Sequence, residues 1–197
     1  MNARIAPVSL ADADAETRAL LEPLTQVRGA DTRLLNVFGT IGNHPELLRH
    51  WLVFAGYLLS KSTLPPRLRE LVILRVGWRC HSPYEWGQHV WVGRRAGVDD
   101  ADLARLAHGP DAQGWSEVER AALRAADELI DRHTLTDAAW QALARCFTTQ
   151  QVLDLVFLVG QYQLVSSALN ACRVERDDGL DDQALPFPLP APVSSTT

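Results

Sequence analysis

The residues of this chain with the clearest potential for chemistry lie between positions 70 and 89. Glu85 and His89 are four residues apart, so on a helix their side chains lie on one face and can share a proton or a substrate. We expect Glu70, on the preceding antiparallel helix, to reach that face. Two carboxylates and an imidazole at an apolar helical interface suit general acid–base catalysis, because burial and mutual repulsion move a glutamate pKa towards neutrality.

Each of these residues also has a purely structural interpretation. Ser82 and Glu85 match the pattern of a capping box, in which Glu85 would reach back to the Ser82 amide. His89 could be a surface histidine or a core histidine with its hydrogen bonds satisfied. Glu70 could instead pair on a solvated face with a nearby arginine: Arg67, Arg69 or Arg75. The sequence leaves these alternatives open.

Cys80 lies within this segment, at the predicted C-terminal end of a helix. A nucleophilic thiolate needs a helix N-terminus or a nearby cation to lower its pKa, so we interpret Cys80 as a buried thiol. Together with His81, Glu85 and His89 it has no familiar metal-ligand spacing, and we expect no metal site. The three cysteines of the chain are widely spaced and include no CxxC pair, which indicates a reducing compartment rather than a disulfide framework.

Aromatic residues lie on the second of the two predicted helices. Tyr84, Trp86 and Trp91 could form walls of an apolar pocket for a small substrate, although tryptophans in helical proteins are more often part of the core or of an interface. We predict a substrate pocket made of Tyr84, Trp86, Ser82 and Cys80.

The elements that must position these residues are helices. Apolar residues recur at spacings of three and four through most of the chain, and the breaks carry helix start and stop signals. We find no convincing strand. The predicted helices cover about residues 14–24, 32–41, 45–58, 66–79, 83–97, 99–107 and 116–133, a segment capped by Thr136, and 148–172.

Two of the predicted helices have distinctive surfaces. The helix over 66–79 reads as strongly amphipathic, whereas the last helix is apolar on most of its circumference and should be buried in a core or between subunits. The apolar run from Val152 to Gly160 covers about half of the roughly 20 residues that cross a bilayer. Asp154 also interrupts this run, so we predict no membrane span.

Length and composition predict one ordinary globular domain. The chain has 197 residues, 47% of them hydrophobic and 22% charged, and a formal net charge of -5 with the two signs interspersed, so nucleic acid is not an expected partner. The N-terminus has no signal-peptide pattern, and we expect a cytoplasmic protein. We assign residues 1–176 to the domain and the acidic, proline-rich residues 177–197 to a disordered tail or an interface arm.

The joint pattern of Glu70, Ser82, Glu85 and His89 resembles the carboxymuconolactone decarboxylase family, whose superfamily includes the alkylhydroperoxidase AhpD-like proteins. The resemblance covers roughly residues 35 to 105 and is supported upstream by Asn43-His44-Pro45-Glu46-Leu47. It implies an all-α, AhpD-like helical bundle packed around one core. It also implies a homo-oligomer, as a dimer, trimer or hexamer.

In the peroxidase branch of this superfamily, a glutamate, a CxxC pair and a histidine form a proton relay that activates a thiol. Glu70 and His89 match the glutamate and the histidine, but the two cysteine positions fall on Ser82 and Glu85. Cys80 lies two residues before the first of these positions, so it does not replace the missing cysteine pair. The resemblance therefore implies that this protein cannot carry out a dithiol peroxidase cycle.

The remaining residues resemble the decarboxylase-like branch, in which cofactor-free acid–base chemistry acts on a small lactone or carboxylic acid. Under this resemblance Glu85 and His89 form the proton-transfer couple and Glu70 orients His89. One of three arginines would hold a substrate carboxylate: Arg75, Arg79 or Arg94.

Two other function classes remain open from the sequence. One is a non-redox AhpD-like oligomer that binds a small ligand or has lost its activity. The other is a peroxidase that uses Cys80 alone. Activity that titrates with groups near neutrality would favour the acid–base enzyme.

Overall fold

The computed structural model of this protein describes residues 3–28 and 31–178. Within them the chain forms nine α-helices, a 3₁₀ turn at Glu22–Leu24 and one two-stranded hairpin. The helices are α1 (Ala15–Leu21), α2 (Asn36–Ile41), α3 (Pro45–Ser60), α4 (Pro66–Arg79), α5 (Pro83–Arg95), α6 (Asp100–His108), α7 (Glu117–Arg132), α8 (Asp137–Cys146) and α9 (Thr149–Cys172). The predicted helical fold class is confirmed apart from the hairpin.

The hairpin corrects the expectation that the chain has no strand. Strand β1 (Thr25–Arg28) pairs antiparallel with β2 (Asp31–Leu34), and the first residue of β1 lies opposite the last residue of β2. The helix expected from about Thr32 therefore starts later, at Asn36. Strands of four residues are too short for apolar alternation to be recognised, although three of these eight residues are β-branched and favour strands.

Side-chain caps fix where several helices begin. Ser116 and Thr148 form capping boxes at the starts of α7 and α9, and Thr136 caps α8. Each satisfies backbone N–H groups that have no partner inside the helix. The box predicted at the start of α5 is wrong, because the Ser82 side chain makes no capping hydrogen bond.

Helix α4 lies at the centre of the fold and packs against α5, α6, α7 and α9. All of its residues from 70 to 77 are buried. The prediction of a strongly amphipathic helix is therefore wrong for this stretch, because neighbouring helices cover it on every side. A charged residue in this stretch must find its partner inside the protein.

Helix α9 supplies much of the main core. Leu155, Leu158 and Val159 are fully buried against residues of α4 and α7. The helix is also long and apolar enough to cross a membrane, and 56% of its most apolar window is buried inside the protein. Core helices meet the same criterion of length and composition, so the absence of a membrane span stays a prediction.

After α9 the chain turns back towards β2 and α2. Arg173 has a left-handed backbone and ends the helix. The Asn36 side chain donates a hydrogen bond to the Glu175 carbonyl oxygen at 3.0 Å, and Arg33 donates one to the Asp178 carbonyl oxygen at 3.1 Å. The predicted tail at 177–197 lies, from residue 179 onward, outside the described residues.

Candidate active site

Helices α4 and α5 bring the candidate residues together. They are joined by residues 80–82, where His81 has a left-handed backbone and the Ser82 amide donates a hydrogen bond to the Gly77 carbonyl oxygen at 2.9 Å. The two helices pack in contact at Gly77, where a Cβ atom would lie in van der Waals contact with the Cβ of Glu85, at 3.4 Å. This packing places Glu85 beside the helix that carries Glu70.

Glu70 and His89 form a buried pair between the two helices. His89 Nδ1 donates a hydrogen bond to Glu70 Oε2 at 2.7 Å, and Glu70 is fully buried. The other carboxylate oxygen of Glu70 accepts a hydrogen bond from Arg69 Nε at 3.1 Å. The ring of Tyr162 packs edge-on against the imidazole, with centroids 5.0 Å apart. These contacts fix the ring and leave Nε2 as the nitrogen available for proton transfer.

Glu85 lies on the other side of the imidazole. Its Oε2 atom is buried 3.5 Å from His89 Nε2 and has no hydrogen-bond partner among the described residues. Glu85 thus turns towards His89, one helical turn away, and not back to the Ser82 amide. Leaving a buried carboxyl oxygen unpaired costs free energy, and such atoms in a folded protein call for an explanation.

The three ionisable groups have different pKa shifts. Burial alone would raise the pKa of Glu70, but the charges of His89 and Arg69 bring it below its ordinary value. Burial alone would lower the pKa of His89, but the Glu70 carboxylate raises it above its ordinary value. Burial raises the pKa of Glu85, and the attraction of His89 does not offset this. The cluster therefore favours an ionised Glu70, a protonated His89 and a Glu85 that keeps its proton to unusually high pH.

This cluster adjoins a cavity of about 490 Å³. The wall of the cavity is mainly apolar and is formed by residues of α2, α3, α5 and α9 and of the hairpin region, together with Arg69 of α4. Among the described residues, the charged or acid–base side chains on this wall are Arg69, Glu85 and His89, with the hydroxyls of Tyr84 and Tyr162. Glu70 is absent from this wall and supports His89 from behind.

The four residues predicted for the substrate pocket separate in the structure. Tyr84 lines the cavity. Trp86 packs instead into a second apolar core, Ser82 is fully buried, and Cys80 packs at the edge of the main core. The structure thus corrects the last three positions. Successive residues of a helix point in different directions, so Trp86 faces away from the side of α5 that carries Glu85.

The arginine on the cavity wall is Arg69. The expectation that another arginine holds a substrate carboxylate is wrong, because none of the three candidates lines the cavity and each pairs with a carboxylate elsewhere. These pairs are Arg75 with Asp127, Arg79 with Asp131 and Arg94 with Asp100. The sequence does offer Arg69 as a partner for Glu70, but nothing in its spacing indicates that it faces a cavity.

Asp177 is a further residue of this site that the sequence did not indicate. Its carboxylate accepts hydrogen bonds from the Tyr84 hydroxyl at 2.5 Å, from the backbone N–H of Asn36 at 2.8 Å and from Gln88 Nε2. Asp177 is 3% exposed, whereas an acidic cluster near a chain end usually indicates solvated residues. Because Tyr84 and Gln88 both line the cavity, Asp177 fixes part of its wall.

The thiols of this protein lie outside the cluster. All three cysteines are free, and burial raises the pKa of the Cys80 thiol. A raised pKa leaves less thiolate and disfavours a nucleophilic role. Across residues 3–28 and 31–178, no group of three or more His, Cys, Asp or Glu side chains is arranged to hold a metal ion.

A comparison with protein families matches part of this chain. Residues 45–128 match the model of the carboxymuconolactone decarboxylase family, which confirms the resemblance seen in the sequence. The matched segment runs from the start of α3 into α7 and contains Glu70, Glu85 and His89. A comparison with curated protein sequences finds no significant match.

Solved structures with the same fold include three that cover most of this chain. The AhpD core of a peroxidase-related protein from Ralstonia eutropha has 19% identity, covers 90% of this chain and 94% of its own, and has a TM-score of 0.77. A peroxidase-related protein from Silicibacter has 17% identity, coverage of 90% and 95%, and a TM-score of 0.76. The debrominase Bmp8 without ligand has 17% identity, coverage of 92% and 96%, and a TM-score of 0.74. These similarities establish an AhpD-like fold.

Proposed function

We propose that this chain, whose residues 45–128 match the carboxymuconolactone decarboxylase family and which has an AhpD-like fold, is a cofactor-free acid–base enzyme. Its reaction would be decarboxylase-like, on a small lactone or carboxylic acid held in the cavity. The observation that carries the proposal is the carboxyl group of Glu85, which lines the cavity and lies buried beside His89 Nε2 without a hydrogen-bond partner among the described residues.

Each residue of the cluster has one role in this proposal. Glu85 is the acid that transfers a proton to carbon, and His89 is its partner in proton transfer. Glu70 accepts the hydrogen bond from His89 Nδ1, which selects one orientation of the ring and stabilises its protonated form. Arg69 binds a substrate carboxylate or the oxygen on which negative charge develops.

The proposed reaction balances with these groups alone. When the substrate loses CO₂, the electron pair of the broken C–C bond passes into a conjugated carbonyl group and forms an enolate. The positive charges of His89 and Arg69 stabilise this enolate. The proton of Glu85 then transfers to the carbon that lost CO₂, and Glu85 regains a proton from water before the next turnover.

Thiol peroxidase chemistry is less well supported. Ser82 and Glu85 stand where the peroxidase branch has its two redox cysteines. Burial raises the pKa of Cys80, the thiol nearest to these positions in the sequence. A peroxidase cycle would need a reactive thiolate and a thiol that resolves its oxidised form.

Proton exchange in heavy water tests this proposal even though the natural substrate is not identified. A panel of unsaturated lactones and carboxylic acids is incubated with the protein in D₂O and analysed for deuterium at carbon and for released CO₂. We expect exchange or CO₂ release with the wild type and with Glu117→Gln, an exposed control carboxylate at the start of α7. The Glu85→Gln variant should lose both. Equal turnover by Glu85→Gln and wild type would overturn the proposal.

We also propose that the protein is a cytoplasmic homo-oligomer. Helices α3 and α9 leave large apolar side chains exposed, including Val53, Phe54, Phe157 and Leu164. The rings of Phe54 and Phe157 pack edge-on with centroids 6.0 Å apart, so the two helices share one apolar surface. Light scattering at micromolar concentration should give a dimer, trimer or hexamer, and a monomer would contradict this proposal.

A further inference from the structure

The size of the cavity limits the kind of substrate that fills it. Its volume of about 490 Å³ falls within the range of roughly 300–1,000 Å³ that is typical of sites for drug-sized ligands. Apolar side chains make up most of the wall, among them Leu35, Phe38, Trp51, Leu52, Leu59 and Val92. A compact polar acid would leave much of this apolar surface without contact.

The apolar volume continues beyond the main cavity. A second cavity of about 110 Å³ lies on the other side of Val37, Trp51 and Val165, which line both cavities. The second cavity exposes no polar surface. Two adjoining apolar volumes favour a ligand with an extended apolar body over one with polar groups at both ends.

The charges of the wall limit the polar part of the ligand. Among the described residues, the basic side chains that line the cavity are Arg69 and His89. The charge of His89 is balanced by Glu70 at 2.7 Å, and Glu85 favours its neutral form. Arg69 also contacts Glu70, but only through Nε, and no other ion pair of Arg69 occurs among the described residues. The cluster thus carries one net positive charge at the cavity wall.

We propose that the substrate is an amphipathic monoanion, with a single carboxylate bound at Arg69 and a large ring-based or aliphatic apolar body along the α3 and α9 walls. This inference rests on the proposed function, because it places the carboxylate beside Glu85 and His89. A compact dicarboxylate is excluded as the preferred substrate, since its second charge would be buried against apolar side chains without a partner.

Calorimetric titration of the full-length protein with three probes tests this inference. The probes are 2-naphthylacetate, its neutral amide and the small dicarboxylate muconate. We expect the naphthylacetate to bind at least about tenfold more tightly than either of the others, because only it offers both the single charge and the apolar body. Equal or tighter binding of muconate, or equal binding of the amide, would overturn the inference.

Two pairs of variants locate the probe. Arg69→Gln should reduce the affinity for naphthylacetate to that for the amide, whereas Arg94→Gln, at an exposed ion pair, should have no effect. Gly56→Leu should weaken binding of both naphthyl probes, because Gly56 lines the cavity and a Cβ atom there meets nothing within 4 Å. Ala104→Leu introduces the same side chain at an exposed position of α6, a helix that belongs neither to the cavity wall nor to the apolar surface of α3 and α9, and should leave binding unchanged.

Binding by Glu85→Gln separates this inference from the proposed function. Glutamine resembles a protonated glutamate, so this variant should bind naphthylacetate as the wild type does while losing turnover. Wild-type turnover in Glu85→Gln, together with the expected order of probe affinities, would overturn the proposed function alone. Turnover that depends on Glu85 but prefers small dicarboxylates would overturn the substrate class alone.

Discussion

Helix α4 carries two buried charge clusters that are built in different ways. Arg75 holds Asp127 with two hydrogen bonds, at 2.7 and 2.8 Å, and donates a third to a backbone carbonyl group. Five residues earlier, Glu70 holds His89, whose second nitrogen lies 3.5 Å from Glu85 with no normal hydrogen bond between them. The Arg75 cluster has no part in the cavity wall, whereas the His89 cluster forms part of it.

Burial and charge alone therefore do not identify a functional site. Both clusters contain ionised groups inside the protein, and both need partners to offset the cost of leaving water. In the Arg75–Asp127 pair the two charged groups form two parallel hydrogen bonds, an arrangement that stabilises the fold and leaves both groups paired. In the His89 cluster the Glu85 carboxyl group has no such partner and its pKa is raised, as expected for a group that exchanges protons.

The Glu85→Gln variant should show the greatest loss of activity. Turnover should fall by about 10²–10⁴-fold, because a positioned general acid or base contributes that much. The free energy of unfolding should change by no more than about 1 kcal/mol, the typical effect of a point substitution, since the variant removes no hydrogen bond with a described residue. Steady-state kinetics and urea unfolding measure the two quantities. A large loss of stability would show that Glu85, like Arg75, has a structural role, and would contradict the difference proposed between the two clusters.

The reverse pattern is expected for Arg75→Met. This variant should lose about 3 kcal/mol of unfolding free energy, because it leaves Asp127 partly buried without its main partner. The loss is at the lower end for a broken buried pair, since Arg79 Nη1 lies 3.1 Å from the same carboxylate. Turnover per folded molecule should stay at the wild-type level. Adding Asp127→Asn should recover part of the stability, and a specific loss of turnover would contradict the structural role of this pair.

A smaller effect on activity is expected for Glu70→Gln, with a change in pH dependence. The protonated form of His89 is lost as the pH rises through its pKa, and the Glu70 carboxylate holds that pKa above its ordinary value. Replacing the carboxylate lowers the pKa of His89, so the alkaline limb of the kcat profile should move to lower pH. A profile with the wild-type alkaline limb would show that Glu70 does not act through His89.

Asp177→Asn should have the mildest consequences of the four variants. It weakens the hydrogen bonds from Tyr84, Asn36 and Gln88, which should cost about 1–2 kcal/mol of unfolding free energy. Because Tyr84 and Gln88 line the cavity, KM should rise more than kcat falls. Asp178→Asn is the matched control, since that side chain is 94% exposed and its ion pair with Arg33 spans 3.7 Å. Equal effects of the two variants would show that Asp177 does not shape the cavity.

The parts of this fold and site that depend on near neighbours in sequence could be predicted. Thr136 caps its helix as expected, because a cap needs only residues within one turn. The spacing of four residues correctly places Glu85 and His89 on the same face of α5. Glu70, expected to reach this face from the preceding antiparallel helix, does contact His89 there.

The parts that depend on packing between distant elements could not be predicted. Arg69 and Arg75 are both arginines of α4, and only the arrangement of the surrounding helices decides which one meets the cavity. The burial of Asp177 depends on donors from α2 and α5, far away in the sequence. Ser82 and His89 both lie within about one helical turn of Glu85, so the sequence pattern does not decide which of them the Glu85 carboxyl group approaches.

The proposed chemistry requires one site to hold its two glutamates in opposite protonation states. Carbon-13 NMR of protein labelled at the glutamate carboxyl carbons measures these states, with Glu70→Gln and Glu85→Gln assigning the two resonances. We expect Glu85 to titrate with a pKa above the ordinary glutamate value, and Glu70 with a pKa below it. A Glu85 resonance that titrates together with those of the exposed glutamates would contradict the proposed acid–base site.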